Sequence, residues 1–163
     1  MRAAVIAMVL SACATPKPLE RPVIDASAWQ RLTKALPGTW SMTTSSGRDF
    51  HVAYKLISNA SAIVEDWGVG SDHETETVFY PDHRDVLLTH YCAQGNQPRL
   101  RAIETTPSSI AFKFVDVTNK SPDQAMLVER RLAFDGDKLD DTEIYRQPDG
   151  RDESTTYHLV RAP

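Results

Sequence analysis

The residues with the most capacity for chemistry lie together on one predicted strand. Between Val86 and Cys92 the side chains alternate, so that Val86, Leu88, His90 and Cys92 share one face while Leu87, Thr89 and Tyr91 share the other. An imidazole and a thiol two residues apart stand roughly 6 to 7 Å from each other along a strand, from twice the residue rise. That is close to hydrogen-bond reach but outside it. A cysteine nucleophile needs a base near enough to take its proton and a third group to orient that base. Asn96 is a nearby amide, and it falls in a loop. His90 and Cys92 are therefore catalytic candidates only. The preferred reading is a core histidine satisfied by a neighbouring strand beside a small buried thiol, with an enzyme kept as an alternative.

Arginines come next. Over residues 126–134 the set Val128, Arg130, Leu132 and Phe134 forms the apolar face, which turns Arg130 inward; Arg101 sits between Arg99 and Ile103 on its own strand. A buried guanidinium is costly unless its fork of donors meets carboxylates. Glu65, between Ile63 and Trp67, and Glu143, beside Tyr145, are candidate partners within the chain. A ligand's carboxylate is the other possibility, and the structural ion pair is preferred. The amides of Gly95-Asn96-Gln97-Pro98 either reach a ligand or satisfy their own turn, and the second is the commoner use of such residues.

The five histidines, His51, His73, His83, His90 and His158, show no metal-ligand spacing. His73, Glu74 and His83 lie on loops or strand ends, where they could collect zinc adventitiously without a closed ligand set. No cofactor is predicted. Haem held by one histidine, His90 or His158, is an alternative. There is no phosphate loop, no Gly-x-Ser-x-Gly elbow and no cysteine pair spaced for redox or metal chemistry. With 18 Lys and Arg against 22 Asp and Glu, interspersed along the chain, nothing suggests a nucleic-acid surface.

These side chains must be positioned by short strands. One helix is predicted over Asp25 to Leu36, where Ala28, Trp29, Leu32, Ala35 and Leu36 recur at helical spacing, with Asp25 or Ser27 as cap and Leu36-Pro37-Gly38 as stop. From Thr39 onward, runs rich in Val, Ile, Thr, Phe and Tyr alternate with turn residues such as Ser58-Asn59, Pro81-Asp82, Asp135-Gly136 and Asp149-Gly150. Ten strands fit between these marks. Consecutive short hairpins make a meander, so the predicted fold is all-β: an antiparallel up-and-down barrel of about 8 to 10 strands after one N-terminal helix. A two-sheet sandwich is the rival, since the loop from Thr118 to Gln124 is long enough for one crossing.

The N-terminus gives an address. Arg2 precedes an apolar run from Ala3 to Leu10 that ends Leu10-Ser11-Ala12-Cys13, too short to span a bilayer but suited to an export signal. Its end resembles a bacterial lipobox. The resemblance implies a signal peptide over 1–12, a lipidated Cys13 and a membrane anchor, and Ala14 after the cysteine implies an outer-membrane lipoprotein facing the periplasm. Residues 13–24 hold Pro16, Pro18 and Pro22, a stiff tether. Residues 25–163 make one domain, of a size that holds a core without metal or disulfide. With Cys13 acylated, Cys92 has no intramolecular partner.

Gly38-Thr39-Trp40 on the first strand after a helix is similar to the Gly-x-Trp of lipocalins. The stretch Leu88-Thr89-His90-Tyr91-Cys92-Ala93, followed by Gly95-Asn96-Gln97-Pro98-Arg99, resembles the signature of a family of bacterial exported proteins with a calycin-like barrel, lipocalin-like or fatty-acid-binding-protein-like. That resemblance implies the fold and no particular reaction. It implies a structural Trp40 on the barrel floor. In fatty-acid-binding barrels inward arginines take a carboxylate, which is what Arg101 and Arg130 would do if a ligand were acidic.

The reading that follows is a tethered barrel that binds a small, mostly apolar ligand inside. Its predicted lining is Tyr54, Phe79, Tyr80, Leu88, Phe112, Phe114, Val128 and Phe134, with His90, Arg101 and Arg130 as polar fixtures. A one-residue slip in register would replace every member contributed by a strand. A structural or interaction lipoprotein with a barrel filled by its own side chains is the alternative from another class. Oligomeric state is left open.

Overall fold

The computed structural model of the protein describes residues 27–44, 46–71 and 73–163; Cys13, the export segment, the tether and the first residues of the predicted helix lie outside them. One helix, α1 (Ser27–Ala35), precedes ten strands: β1 (Gly38–Thr43), β2 (Asp49–Ile57), β3 (Ala62–Trp67), β4 (Thr75–Asp82), β5 (Asp85–Tyr91), β6 (Gln97–Thr106), β7 (Ser109–Thr118), β8 (Met126–Asp135), β9 (Lys138–Arg146) and β10 (Asp152–Arg161). Each strand pairs antiparallel with its sequence neighbours, and β10 returns to pair with β1, so the sheet closes. The fold is a closed, up-and-down, calycin-like barrel. Closure removes both edges, and with them the unpaired backbone groups that an open sheet exposes.

Alternation decides which side chains enter the lumen, and the hairpin directions set their depth. From the α1 end upward, β3 contributes Ile63, Glu65 and Trp67; β4 contributes Phe79, Thr77 and Thr75; and β9 contributes Leu139, Asp141, Glu143 and Tyr145. The lower lumen is apolar. Leu32, Leu36, Trp40, Ile63, Phe79, Leu88, Leu100, Phe112, Leu132, Leu139 and Leu159 form one buried cluster there. At roughly 1.5 to 3 kcal/mol per fully buried large apolar side chain, this half carries most of the stabilising burial.

Helix α1 is the plug for that end. Ala28 and Leu32 face the lumen, and the Trp29 indole donates to the Ala60 carbonyl of the β2–β3 turn at 3.3 Å. Arg161, at the end of β10, donates to the Ala35 and Pro37 carbonyls at 2.7 and 2.9 Å, satisfying acceptors that a helix C-terminus leaves free. Its guanidinium also stacks 4.3 Å over the Trp40 ring, whose Nε1 donates to the Leu36 carbonyl at 2.8 Å. Gly38 is required beneath this stack: its φ is +127°, and a Cβ would stand 2.8 Å from an Arg161 nitrogen. Trp40 is thus a floor residue with no exposed surface.

The other end, where the loops 44–48, 68–74, 92–96, 119–125 and 147–151 lie, carries no helix among the described residues. There β7 and β8 part company, because their pairing stops at Lys113 and Glu129. Two irregularities matter for the lining. Pairing of β8 with β9 shifts between Leu127 and Glu129, which makes Val128 the extra residue of a bulge. A similar shift between β6 and β7 falls between Arg99 and Leu100.

Several predicted lining residues change place as a result. Tyr80 is on the outer face, where its hydroxyl meets Thr89 at 3.2 Å. Arg101 is also outside, paired with Asp85 at 3.2 Å, so it is no fixture of the lumen. Val128 sits in the bulge, and Leu127 takes the core position instead. Phe114 alternates with the buried Phe112 but lies where β7 leaves β8, and is 37 % exposed. Phe79, Leu88 and Phe112 are inside, packed within the apolar cluster, and Phe134 lies under α1 at the plugged end.

Candidate functional site

A charged layer crosses the lumen directly above the apolar cluster. Its centre is Arg130 from β8, fully enclosed, with its guanidinium 5.6 Å over the Phe79 ring. Nε donates to Asp141 Oδ1 at 3.0 Å and Nη2 to Asp141 Oδ2; Nη1 and Nη2 donate to the two oxygens of Glu65 at 3.1 and 2.5 Å. Nη1 also donates to Thr77 Oγ1 at 3.3 Å. All five N–H groups of the fork are therefore used within the chain, and none is left for a ligand's carboxylate. Burial works against the Arg130 charge, but Asp141 and Glu65 outweigh it and hold the group ionised beyond the usual arginine range. Burial likewise raises the Asp141 carboxyl, with Arg130 pulling it back.

Sequence reasoning had named Glu65 and Glu143 as partners for Arg130 and missed Asp141. Glu65 is one of the two bidentate partners. Glu143 stands at 3.6 Å from Arg130 Nε, and its carboxylate accepts no hydrogen bond among the described residues. Burial pushes the Glu143 carboxyl up to about 8; Arg130 opposes this, while Asp141 and Glu65 add to it. At neutral pH it is mostly protonated.

His90 ties this layer to the open end. Thr77 has one hydroxyl proton and gives it to Glu65 Oε1 at 3.0 Å, so it must accept from His90 Nδ1, also at 3.0 Å. That fixes the Nδ1–H tautomer. His90 Nε2 is then an acceptor and takes the Tyr145 hydroxyl proton at 3.0 Å. Burial pushes the imidazole down to about 4, and Arg130 acts in the same direction, so the ring is neutral. Tyr145 is raised above the ordinary phenol range by burial, then by Glu143, and stays a phenol.

Above the layer is a cavity of about 180 Å³ lined by Trp67, His73, Thr75, His90, Glu143, Tyr145 and Tyr157. Trp67 and Tyr157 meet edge to face across it, with ring centroids 4.7 Å apart, and Phe50 backs Trp67 at 5.2 Å. Of these seven lining residues, sequence reasoning had weighed His73, His90 and Glu143. The signal for the others was present: Trp67 and Tyr145 are i+2 neighbours of Glu65 and Glu143, and so share their faces.

The other expectations fare differently. His90 spends both nitrogens on Thr77 and Tyr145, so it is neither a base for Cys92 nor a free axial ligand for haem. The Cys92 thiol is half-buried and raised by burial, the opposite of an activated nucleophile. His158 is exposed on β10 and bonds Asp140 at 2.7 Å. His73 lies at the open end while His83 caps the β4–β5 turn at the plugged end, so they cannot share a metal. Asn96 is buried and donates to the Ala125 carbonyl at 2.9 Å, tying the 92–96 loop to the start of β8.

A stability profile follows from the two shifted groups. His90 has its pKa lowered from 6.5 to about 4, so it favours folding as pH rises through that interval; Glu143 has its pKa raised from 4.5 to about 8, so it disfavours folding as pH rises through its own. Between 4.5 and 6.5 these two slopes oppose each other, and the raised Asp141 carboxyl adds to that of Glu143. Above 6.5 Glu143 acts without the opposing His90 slope, and its contribution lowers the unfolding free energy by about 2 kcal/mol to pH 8, at ~1.36 kcal/mol per unit. Urea unfolding across this range measures it. Glu143→Gln should abolish the fall, and an unaltered fall in that variant would remove the assignment.

A clefted region of about 390 Å³ on the outer face, lined by Tyr80, Thr89, Tyr91, Gln97, Arg99, Asp116, Val117 and Thr118, is larger than the mouth cavity. Most of its polar groups are matched within the chain, Arg99 to Asp116, Gln97 to Thr118 and Tyr80 to Thr89. Among the described residues, the mouth pairs a concave aromatic wall with a carboxyl that lacks a hydrogen-bond donor. No family model matches the chain, and no curated protein matches it.

Proposed function

We propose that this protein is a lipid-anchored envelope lipoprotein, held at the outer membrane and facing the periplasm, that binds a small ligand in the open mouth of its barrel. The address rests on the lipobox-like Leu10-Ser11-Ala12-Cys13 and the proline-bearing tether. The ligand reading rests on one observation: the cavity bounded by Trp67, Tyr145 and Tyr157 above the His90–Glu143 floor. Sequence reasoning favoured a mostly apolar ligand deep in the lumen. The closed Arg130 layer moves the preferred site upward and its chemistry toward an amphipathic molecule. It must be small, since pockets for drug-sized ligands run to roughly 300 to 1,000 Å³.

A second reading, a structural or interaction lipoprotein, is favoured by the same Arg130 layer, which fills the mid-lumen with the chain's own side chains. Native mass spectrometry of the protein extracted from its own host separates them. The expected spectrum shows an acylated Cys13 and a retained small molecule that is lost from a Trp67→Ala, Tyr157→Ala double variant. A mass equal to the acylated chain alone supports the filled barrel, and an unacylated Cys13 removes the anchor.

A further inference from the structure

The geometry points to an organic ammonium group, on an amine or quaternary ammonium compound, as the ligand chemistry of the mouth. This rests on the mouth-site reading above and adds the sign of the ligand's charge. Three carboxyls, Glu65, Asp141 and Glu143, surround one guanidinium, and the two bidentate pairs together with Thr77 use all of its donors. Glu143 is the surplus one. It is 8 % exposed, lines the cavity and accepts no hydrogen bond among the described residues.

Two polar groups of the cavity, Tyr145 and Glu143, can accept from a ligand. Tyr145 is committed as a donor to His90, which leaves its oxygen lone pairs free, and Glu143 offers a carboxylate when ionised. The wall is aromatic: Trp67, Tyr157 and Tyr145 line it, and cations are attracted to the faces of such rings, most strongly to that of Trp. An apolar guest of the same shape would leave Glu143 no better matched than it is without a ligand.

A cation seated against Glu143 favours the ionised carboxylate, so binding should expel a proton near neutrality. The groups that face Glu143 are Arg130 from β8, Glu65 from β3, His90 from β5, Cys92 just beyond β5, Tyr157 from β10, and Asp141 and Tyr145 on its own strand; His73 borders the same cavity. Burial holds His90 down near 4 and Glu143 up near 8, so of these two it is Glu143 that changes charge between pH 7 and 9.

The test is calorimetric titration of the recombinant barrel with tetramethylammonium, and with neopentyl alcohol as a neutral analogue of similar shape. Tetramethylammonium should bind at least tenfold more tightly than the alcohol. Its affinity should rise about tenfold from pH 7 to 9 as the ionised fraction of a group near 8 grows. Glu143→Gln should lose both the preference and the rise. Equal affinity for the two probes, or a pH-independent affinity for the cation in the unmodified protein, overturns the ammonium assignment while leaving a mouth site. Binding of neither probe, together with a host-extracted protein that carries nothing, overturns both.

Discussion

Arg130→Met is expected to cost about 3 to 5 kcal/mol, or to prevent folding outright, because it leaves Glu65 and Asp141 buried with no counter-charge. Met occupies similar length and keeps contact with Phe79, so the loss is not chiefly one of packing. The penalty comes from two carboxylates that the guanidinium had served with four hydrogen bonds. A companion variant tests this cause. Replacing Arg130, Glu65 and Asp141 together by Met and Leu removes the charges along with the partner, and should recover most of the stability. Urea midpoints of the two variants decide it. A single variant as stable as the parent, or a triple variant no better than the single one, would show that Arg130 is not the keystone of a closed layer.

Trp40→Ala is expected to destabilise the protein by about 3 to 5 kcal/mol, as for large core aromatics truncated to Ala. Three contacts go at once: the buried indole surface, the Nε1 donation to the Leu36 carbonyl and the platform for Arg161. Helix α1 has nine residues, too few to persist undocked, so its anchoring depends on this floor. Trp40→Phe keeps a ring but forfeits the donor, and about 1 to 2 kcal/mol is the expected loss. Amide exchange along 27–35 supplies the discriminating measurement. Exchange should accelerate in Trp40→Ala, whereas unchanged protection of α1 would mean that the floor does not hold the plug.

Much of the architecture was legible because alternation and turn chemistry agree along this chain. Asp135-Gly136 and Asp149-Gly150 mark hairpins that the structure places at β8–β9 and β9–β10, and both glycines have positive φ. Gly38-Thr39-Trp40 located the floor. Arg161 was invisible, because nothing local to residues 159–163 says that a guanidinium will reach back across the closure to the helix end. Lumen membership was less legible wherever the sheet departs from regular pairing. Val128 reads as apolar-face by strict alternation, yet a bulge hands its place to Leu127. Tyr80 and Arg101 sit on strands whose outer faces are also partly covered, as Leu87 between them is, so apolar content did not separate the two faces.

The site was half legible for a related reason. Arg130 on an apolar face announced a buried charge and required acids, but which acids depends on cross-strand register. Arg130 opposes Glu143 in the β8–β9 ladder, while its fork extends to Asp141 on the same strand and across the lumen to Glu65. The aromatic wall gathers Trp67 and Tyr157 from β3 and β10, strands that are not neighbours in the sheet. Contact across a lumen leaves no periodic mark in the sequence.

On this proposal ligand access ends at the Arg130 layer, leaving the mouth as the binding site. Isotope-filtered nuclear Overhauser spectra of the host-extracted protein with its retained ligand test it most directly. Ligand protons should show contacts to the Trp67 and Tyr157 rings and none to Phe79, Leu88 or Phe112 beneath the layer. Contacts to those three side chains would contradict it, as would a protein from its native envelope with no ligand at all.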